Sequence, residues 1–272
     1  MSDRPIIVGA VVYDPKVTVI WDIIRRFFED RGCPMDTVYY TNYELQVRSL
    51  IEGSIDVAWN SPLAWLDSQR LGHGRCRAIA MRDTDRDRVS NLLVRADSGI
   101  RSPADLKGRT VAFGAKDSPQ ATLIPQGMLL EHGLRPGEDY RVRRFDVLVG
   151  KHGDHVGGER AALECLKSGE ADAAWALDLN WQLWSGDGTA DPGKIVSVAT
   201  TEPFDHCVFT VREDFPESDE KRFLDALFAM SYDNPEHREM MDMEGLKKWE
   251  PGRTTGFGPL AHAVEALGYW TA

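Results

Sequence analysis

Two imidazoles and two carboxylates fall within eight residues in the stretch Lys151-His152-Gly153-Asp154-His155-Val156-Gly157-Gly158-Glu159. Side chains of these types at this density have two chemical uses. An imidazole titrates near neutrality and so moves protons as a general base or acid. Imidazole with carboxylate also holds a divalent metal, with His152, Asp154 or His155 as ligands and Glu159 in support. The spacing matches no established zinc signature, and a polar glycine-rich loop that contacts a ligand by hydrogen bonds alone has the same residues. A second pair is His206-Cys207, whose types make an activated thiol when they meet. Neighbours on a strand point to opposite faces. The expectation is therefore that these two form no dyad: His206, oriented by Asp205, faces the ligand, and Cys207 is a buried thiol. Cys165 lies on the apolar stripe of a helix and is expected in the core.

Anion chemistry has its own candidates. Asp14-Pro15-Lys16-Val17-Thr18 and Ser118-Pro119-Gln120-Ala121-Thr122 both read as a capping residue, a proline in the first turn and a helix. Backbone N–H groups at such a terminus, with the helix dipole, attract anions. The second loop is the better one, because its hydroxyl and amide groups add donors. The plainer reading is that Asp14 and Ser118 only cap helices.

These residues need elements to hold them. Residues 6–12 read as a buried strand, and residues 17–29 carry apolar side chains at helical spacing. Strands at 37–40, 55–59, 78–81 and 91–94 alternate with helices at 44–51 and 62–69. The plan repeats with strands at 110–114, 140–145 and 171–176 and helices at 120–131 and 159–167. This alternation indicates an α/β fold with a largely parallel sheet. The repeat is also literal: Leu50-Ile51-Glu52-Gly53-Ser54-Ile55-Asp56-Val57-Ala58-Trp59 returns 116 residues later as Leu166-Lys167-Ser168-Gly169-Glu170-Ala171-Asp172-Ala173-Ala174-Trp175. Two related lobes follow, residues 1–94 with 206–272, and 95–205, with a ligand cleft expected between them. Two chain crossings form the hinge. Trp59 and Trp175 end equivalent strands, where they either clamp a ligand or pack. Residues 148–158 are an insertion in the second lobe alone.

The chain has 272 residues and a formal net charge of −11, and no basic stripe, which excludes nucleic acid as a partner. Arg82, Arg86 and Arg88 alternate with Asp83, Asp85 and Asp87, which reads as a solvated, self-neutralising loop. No apolar run is long enough to cross a bilayer, so membrane insertion is not expected. No export signal is visible. The expected location is therefore cytoplasmic as the sequence stands, or periplasmic or extracellular if an export signal has been removed. Cys33, Cys76, Cys165 and Cys207 show no paired spacing and read as free thiols. No cofactor or metal is expected.

Gly53-Ser54-Ile55-Asp56-Val57-Ala58-Trp59-Asn60-Ser61-Pro62-Leu63-Ala64-Trp65, the loop from Ser118 to Thr122 running into Leu123-Ile124-Pro125, and Ser102-Pro103-Ala104-Asp105-Leu106-Lys107-Gly108 resemble the phosphonate/phosphate substrate-binding proteins of ABC transporters. The resemblance spans nearly the whole chain. It implies a type II periplasmic-binding-protein fold, a small-molecule ligand at the lobe interface and a transporter permease as partner. Members of this fold class without export signals include enzymes of menaquinone and thiamin-precursor synthesis and an aromatic decarboxylase. The family's Ser/Thr-rich loop is altered here, since Gln120 stands between Ser118 and Thr122. The leading expectation is a binding protein for a phosphonate-like, phosphate-like or carboxylate anion. Its expected contacts are Tyr13, Tyr43, Trp59, Asn60, Ser61, Ser118, Gln120, Ala121, Thr122, His155, Asp178 and His206. The alternative is an enzyme on this scaffold, a lyase or biosynthetic enzyme using His152, Asp154 and His155.

Overall fold

The computed structural model describes residues 4–153 and 157–271. In chain order it begins with β1 (Ile6–Val11), α1 (Lys16–Glu29), β2 (Met35–Tyr40), α2 (Tyr43–Glu52), β3 (Val57–Asn60), α3 (Pro62–Leu71) and β4 (Cys76–Arg82). There follow β5 (Ser90–Arg95), β6 (Thr110–Phe113), α4 (Ile124–Glu131), β7 (Arg141–Arg144), α5 (Glu159–Ser168), β8 (Ala173–Leu177), α6 (Asp178–Gly186) and β9 (Ile195–Thr200). The chain ends with β10 (Val208–Arg212), α7 (Glu217–Phe228), α8 (Pro235–Glu244), β11 (Trp249–Pro251) and α9 (Gly258–Ala266).

These elements divide into two compact units, Met1–Arg86 with Asp205–Thr255, and Asp87–Phe204 with Gly256–Ala272. The division differs from the expected lobes at both ends. β5 lies in the second sheet, between β8 and β9. α9 packs on α4, where Ala263 lies so close to Gly127 that a Cβ there would stand 2.6 Å from the alanine methyl. The chain passes between the units at 86/87, 204/205 and 255/256, three crossings where two were expected, after residues 94 and 205.

The first unit is a six-stranded sheet in the order β11-β4-β10-β3-β1-β2, with β2, β1 and β3 parallel and β10 antiparallel to β3. The side chains of α1 that meet its core are Val17, Ile20, Trp21, Ile24 and Phe28, spaced three and four apart as one helix face requires. Asn42 caps α2 by accepting the Leu45 N–H at 2.9 Å, and Gly53 ends the helix in the left-handed conformation at φ 79°.

The second unit is a five-stranded sheet in the order β7-β6-β8-β5-β9. Reading β2-β1-β3-β10-β4 against β7-β6-β8-β5-β9 gives the same order of parallel and antiparallel neighbours. The literal repeat therefore marks a repeated fold: α2-β3-α3 corresponds to α5-β8-α6. Its core holds Leu92, Val94, Val111, Phe113, Leu129, Tyr140 and Trp175 on one face of the sheet. Among the described residues no helix is long and apolar enough to cross a membrane.

Candidate ligand-binding site

In the second unit, β6 runs into Gly114 and then into a helix that starts at Pro119 with a π-type first turn, Pro119–Leu123, and continues as α4. A π turn at a helix start widens the spacing of its N–H groups, a feature frequent at functional sites. Ser118 caps this end, its Oγ accepting the Ala121 N–H at 3.2 Å while its carbonyl accepts from Thr122 and Leu123. Those bonds use the later N–H groups of the turn and leave the Gln120 N–H outside the helix's own bonding. Ser118, Gln120, Ala121 and Thr122 are all buried. Gln120 Oε1 and Thr122 Oγ1 are buried without a partner among the described residues. Polar atoms left so in a core carry a desolvation cost of about 1–3 kcal/mol each, which a bound ligand or water removes.

The inserted loop is pressed onto this helix start. Gln120 Nε2 donates to Gly153 O at 3.3 Å, and the Ala115 N–H donates to Gly157 O at 2.9 Å. Gly153 has φ +64°, and a Cβ there would stand 2.7 Å from Ser118 Cβ. Only glycine permits that approach. Beside it Asp117 accepts the Gly150 N–H on Oδ2 at 2.6 Å, while Oδ1 is buried without a partner among the described residues. Burial pushes the Asp117 carboxyl above the usual aspartate range, against the Gly150, Asp117 and His152 N–H groups that favour its charge.

His152 is brought to this place, but burial pushes its imidazole down to about 3. It is neutral across the physiological range, whereas an efficient general acid or base titrates near the working pH. Asp154 and His155, the other members of the expected acid–base or metal group, lie outside the described residues. Glu159, expected to support a metal, holds the fold instead: Oε2 accepts the Leu177 N–H at 2.8 Å and Asn180 Nδ2 at 2.9 Å. Asp178 starts α6, takes the Leu179 N–H on Oδ1 and sits 3.3 Å from the Arg88 guanidinium.

The first unit's helix start is not equivalent. Asp14 Oδ1 accepts the Lys16 N–H at 2.8 Å, so a carboxylate already occupies the end of α1. That negative charge opposes a second anion at the same terminus. Asn60 bonds Gln46 Nε2 through Oδ1 at 2.9 Å and Ser68 Oγ through Nδ2 at 3.0 Å, a buried network that fixes the corner between β3 and α3. Ser61 caps α3 by accepting the Ala64 N–H at 3.2 Å. Tyr43 is buried in the first turn of α2, and Tyr13 is half-buried against the main core cluster. Of the two readings of Trp59, the contacts are those of packing. Its ring lies 4.6 Å from Phe209 and 5.8 Å from Trp249, inside the aromatic core, and Trp175 is fully buried in the second unit.

His206 overturns two expectations. Its Nδ1 is 3.1 Å from Cys207 Sγ, so the neighbours do meet. β10 begins only at Val208, and strand alternation does not govern residues 206 and 207. Its carboxylate neighbour is Asp85, at 3.6 Å, whereas Asp205 pairs with Arg253. The stretch read as a solvated loop is also buried in part: Arg82 grips Asp85 at 2.6 Å (Nε–Oδ2) and 2.8 Å (Nη2–Oδ1). Burial works against charge on Asp85, but the Arg82 guanidinium holds its carboxyl well below the usual range. Residue-type counting had no access to this pair. The missed residues Asp117, Gln46, Ser68 and Ser90, whose Oγ donates to Gln120 O at 2.6 Å, carry no spacing signal of their own.

Residues 13–255 match the family described as "ABC transporter, phosphonate, periplasmic substrate-binding protein". The fold is similar to that of PhnD1 from Prochlorococcus marinus (MIT 9301), solved in complex with methylphosphonate, with 16% identity, TM-score 0.72 and coverage of 98% of this chain and 99% of that one. It is also similar to a Xanthomonas citri protein solved bound to ATP, with 16% identity, TM-score 0.74 and coverage of 98% and 99%. A binding-protein component of a phosphonate transporter from Pseudomonas aeruginosa has 13% identity and TM-score 0.64, covering 91% of this chain and 82% of that one. An uncharacterized Haemophilus influenzae protein is 67% identical over 27 residues, which span 10% of this chain and 38% of that protein.

Proposed function

The chain belongs to the phosphonate substrate-binding family of ABC transporters, and from that premise we propose that it binds a small tetrahedral oxyanion of the phosphonate or phosphate class at the Ser118-capped helix start. In this role it delivers the anion to a transporter permease and works in the periplasm. One observation carries the site: the first turn of that helix buries Gln120 and Thr122 with Gln120 Oε1 and Thr122 Oγ1 lacking partners among the described residues. The capping side chain is a neutral hydroxyl, so at the capping position itself no carboxylate opposes the dipole and the Gln120 N–H, and burial raises the pKa of the neighbouring Asp117 carboxyl, which weakens its opposition to an anion. The Thr122 hydroxyl supplies a donor to an anionic oxygen. Gln120 Oε1 accepts, and a protonated phosphonate oxygen is the complementary donor. The P. marinus relative solved with methylphosphonate and the X. citri relative solved with ATP carry ligands with phosphorus-centred oxyanions, consistent with this class.

Calorimetric titration with methylphosphonate, inorganic phosphate, methanesulfonate and acetate tests the proposal. One phosphonate or phosphate bound per chain, with a rise in melting temperature, is the expected result. Absence of heat and of any melting shift with either phosphorus oxyanion would sink it. Binding that survives intact in Thr122→Val and Ser118→Ala would place the ligand elsewhere.

A further inference from the structure

A second constellation lies wholly within the first unit. Asp85, His206 and Cys207 are all buried, and one ligand-type atom from each lies within 4.8 Å of the others. We propose that these three side chains bind a thiophilic divalent cation of the zinc type.

The backbone explains why they converge. The His206 N–H donates to Asp85 O at 2.7 Å, and close by in both segments Phe204 and Arg88 exchange backbone bonds at 2.7 and 2.8 Å. The outgoing and returning chain segments therefore run side by side, with Asp85 on one and His206 and Cys207 on the other. His206 Nδ1 lies 3.1 Å from Cys207 Sγ and 3.6 Å from Asp85 Oδ1. Ligand atoms about 2.0–2.3 Å from a common metal sit about 3–4 Å apart, so small shifts open the place for an ion. Three protein ligands leave a fourth tetrahedral position for water.

The carboxylate is already oriented. Arg82 holds Asp85 through both oxygens, yet Oδ1 keeps a second lone pair, since an ionised carboxylate oxygen accepts twice. A ligand carboxylate fixed by hydrogen bonds of its own is the usual supporting arrangement around a metal. Charge also balances. Arg82 stands beside the ion, but the Glu244 carboxyl is 3.5 Å from Arg82, and Asp85 with a Cys207 thiolate offsets the divalent charge. The donor set of sulfur, imidazole and a single carboxylate favours zinc, cobalt or nickel over magnesium or calcium. His206 keeps 9% of its side chain exposed, which gives the cation its entry.

A nucleophilic triad is excluded by the same geometry. Both contacts of the imidazole use Nδ1, whereas a relay needs one nitrogen for the thiol and the other for the carboxylate. On binding, the Cys207 S–H bond breaks, its proton leaves to solvent, the metal–sulfur bond forms, and no electron changes hands.

The test uses the full chain, stripped with chelator and titrated with Co²⁺. The expected result is one ion per chain, with a thiolate-to-cobalt charge-transfer band in the near ultraviolet and visible bands of a four-coordinate ion, both displaced by Zn²⁺. The band should vanish in Cys207→Ser and persist when Cys33, Cys76 and Cys165 are all replaced by serine. His206→Gln should weaken binding by more than about tenfold. No charge-transfer band in the wild-type protein, or a band that survives in Cys207→Ser, would overturn the proposal. The wild-type spectrum decides the matter even if a variant folds poorly.

Discussion

Arg212 does in the first unit what Arg95 does in the second. Arg212 Nη1 donates to Leu50 O at 2.8 Å and Ile55 O at 2.9 Å; Arg95 Nη1 donates to Leu166 O at 2.9 Å and Ala171 O at 2.8 Å. The four carbonyls belong to the two copies of the sequence repeat. Asp56 and Asp172 are a second such pair, accepting the N–H of Ile7 at 2.9 Å and of Thr110 at 2.8 Å. Gly53 and Gly169 end the preceding helices with φ 79° and 81°. The repeat thus encodes a folding device: a helix stop, an aspartate that latches the neighbouring strand, and an arginine that ties off the carbonyls.

Removing either arginine should therefore destabilise and leave binding unchanged. Arg212→Ala removes a donor from Leu50 O, which among the described residues keeps only the Gly53 N–H, and from Ile55 O beyond the helix, and we expect a loss of about 2 kcal/mol of unfolding free energy. Arg95→Ala should cost a similar amount. The two sites share no partner, so the double variant should show the sum within about 0.5 kcal/mol. Urea unfolding measures all three; a strongly non-additive pair would mean the devices are coupled.

Glu159 was legible as a carboxylate of interest but not in its role. Because its Oε2 satisfies the Leu177 N–H and Asn180 Nδ2 in a buried place, Glu159→Ala should cost about 3 kcal/mol by stranding those donors. Glu159→Gln keeps an accepting oxygen and should lose much less. Thermal melts of the two variants check this, and equal losses would contradict it.

Periodicity and turn chemistry locate the strands and helices from β1 to β5 and from β6 to β8, because most are amphipathic or wholly apolar and bounded by Gly, Pro or a cap; β7, with the mostly exposed run Arg141-Val142-Arg143-Arg144, is an exception. Allegiance was harder to read. The run Leu92-Leu93-Val94 reads the same in either sheet, and only pairing with β8 and β9 assigns it to the second. The docking of α9 on α4 rests on Gly127 meeting Ala263, a contact between small residues with no long-range signature. At the site, the Ser118 helix start was visible from its cap and proline. At His206 the difference is one of two residues: β10 starts at Val208, and strand alternation does not extend to residues 206 and 207. Burial of Arg82 with Asp85 depends on tertiary packing against residues such as Glu244, whose backbone O accepts from Arg82 at 2.8 Å.

Gln120 makes a discriminating prediction about the ligand. Its Nε2 is engaged by Gly153 O, so Oε1 is the atom left to face a ligand, and it only accepts. A phosphonate monoanion carries a proton to donate there; a sulfonate at neutral pH carries none. Methylphosphonate should therefore bind more than about tenfold tighter than methanesulfonate, the worth of one buried hydrogen bond or one stranded acceptor. In Gln120→Leu the ratio should fall towards unity. Competition titrations give both numbers, and equal affinities in the wild-type protein would remove Gln120 from the site.

His152 predicts the acid limit of the fold. In the unfolded chain an imidazole titrates near about 6.5, whereas burial puts it at about 3 in the native state. Between those values the unfolded state binds a proton that the native state does not, so stability rises with pH across the window. The contribution is complete above about pH 6.5 and is lost progressively as pH falls towards 3, with a total on the order of a few kcal/mol. Asp85 acts in the same direction but lower, because its depressed pKa matters only below the ordinary carboxylate range of about 4. His152 has φ +53°, a region that asparagine tolerates, so His152→Asn removes the titration without forcing the backbone. Urea midpoints measured from pH 7 to pH 4.5 should drop steeply for the wild-type protein and much less for His152→Asn. Parallel curves would mean that this imidazole gains its proton in the native state too, and that the loop at the Ser118 helix start admits solvent.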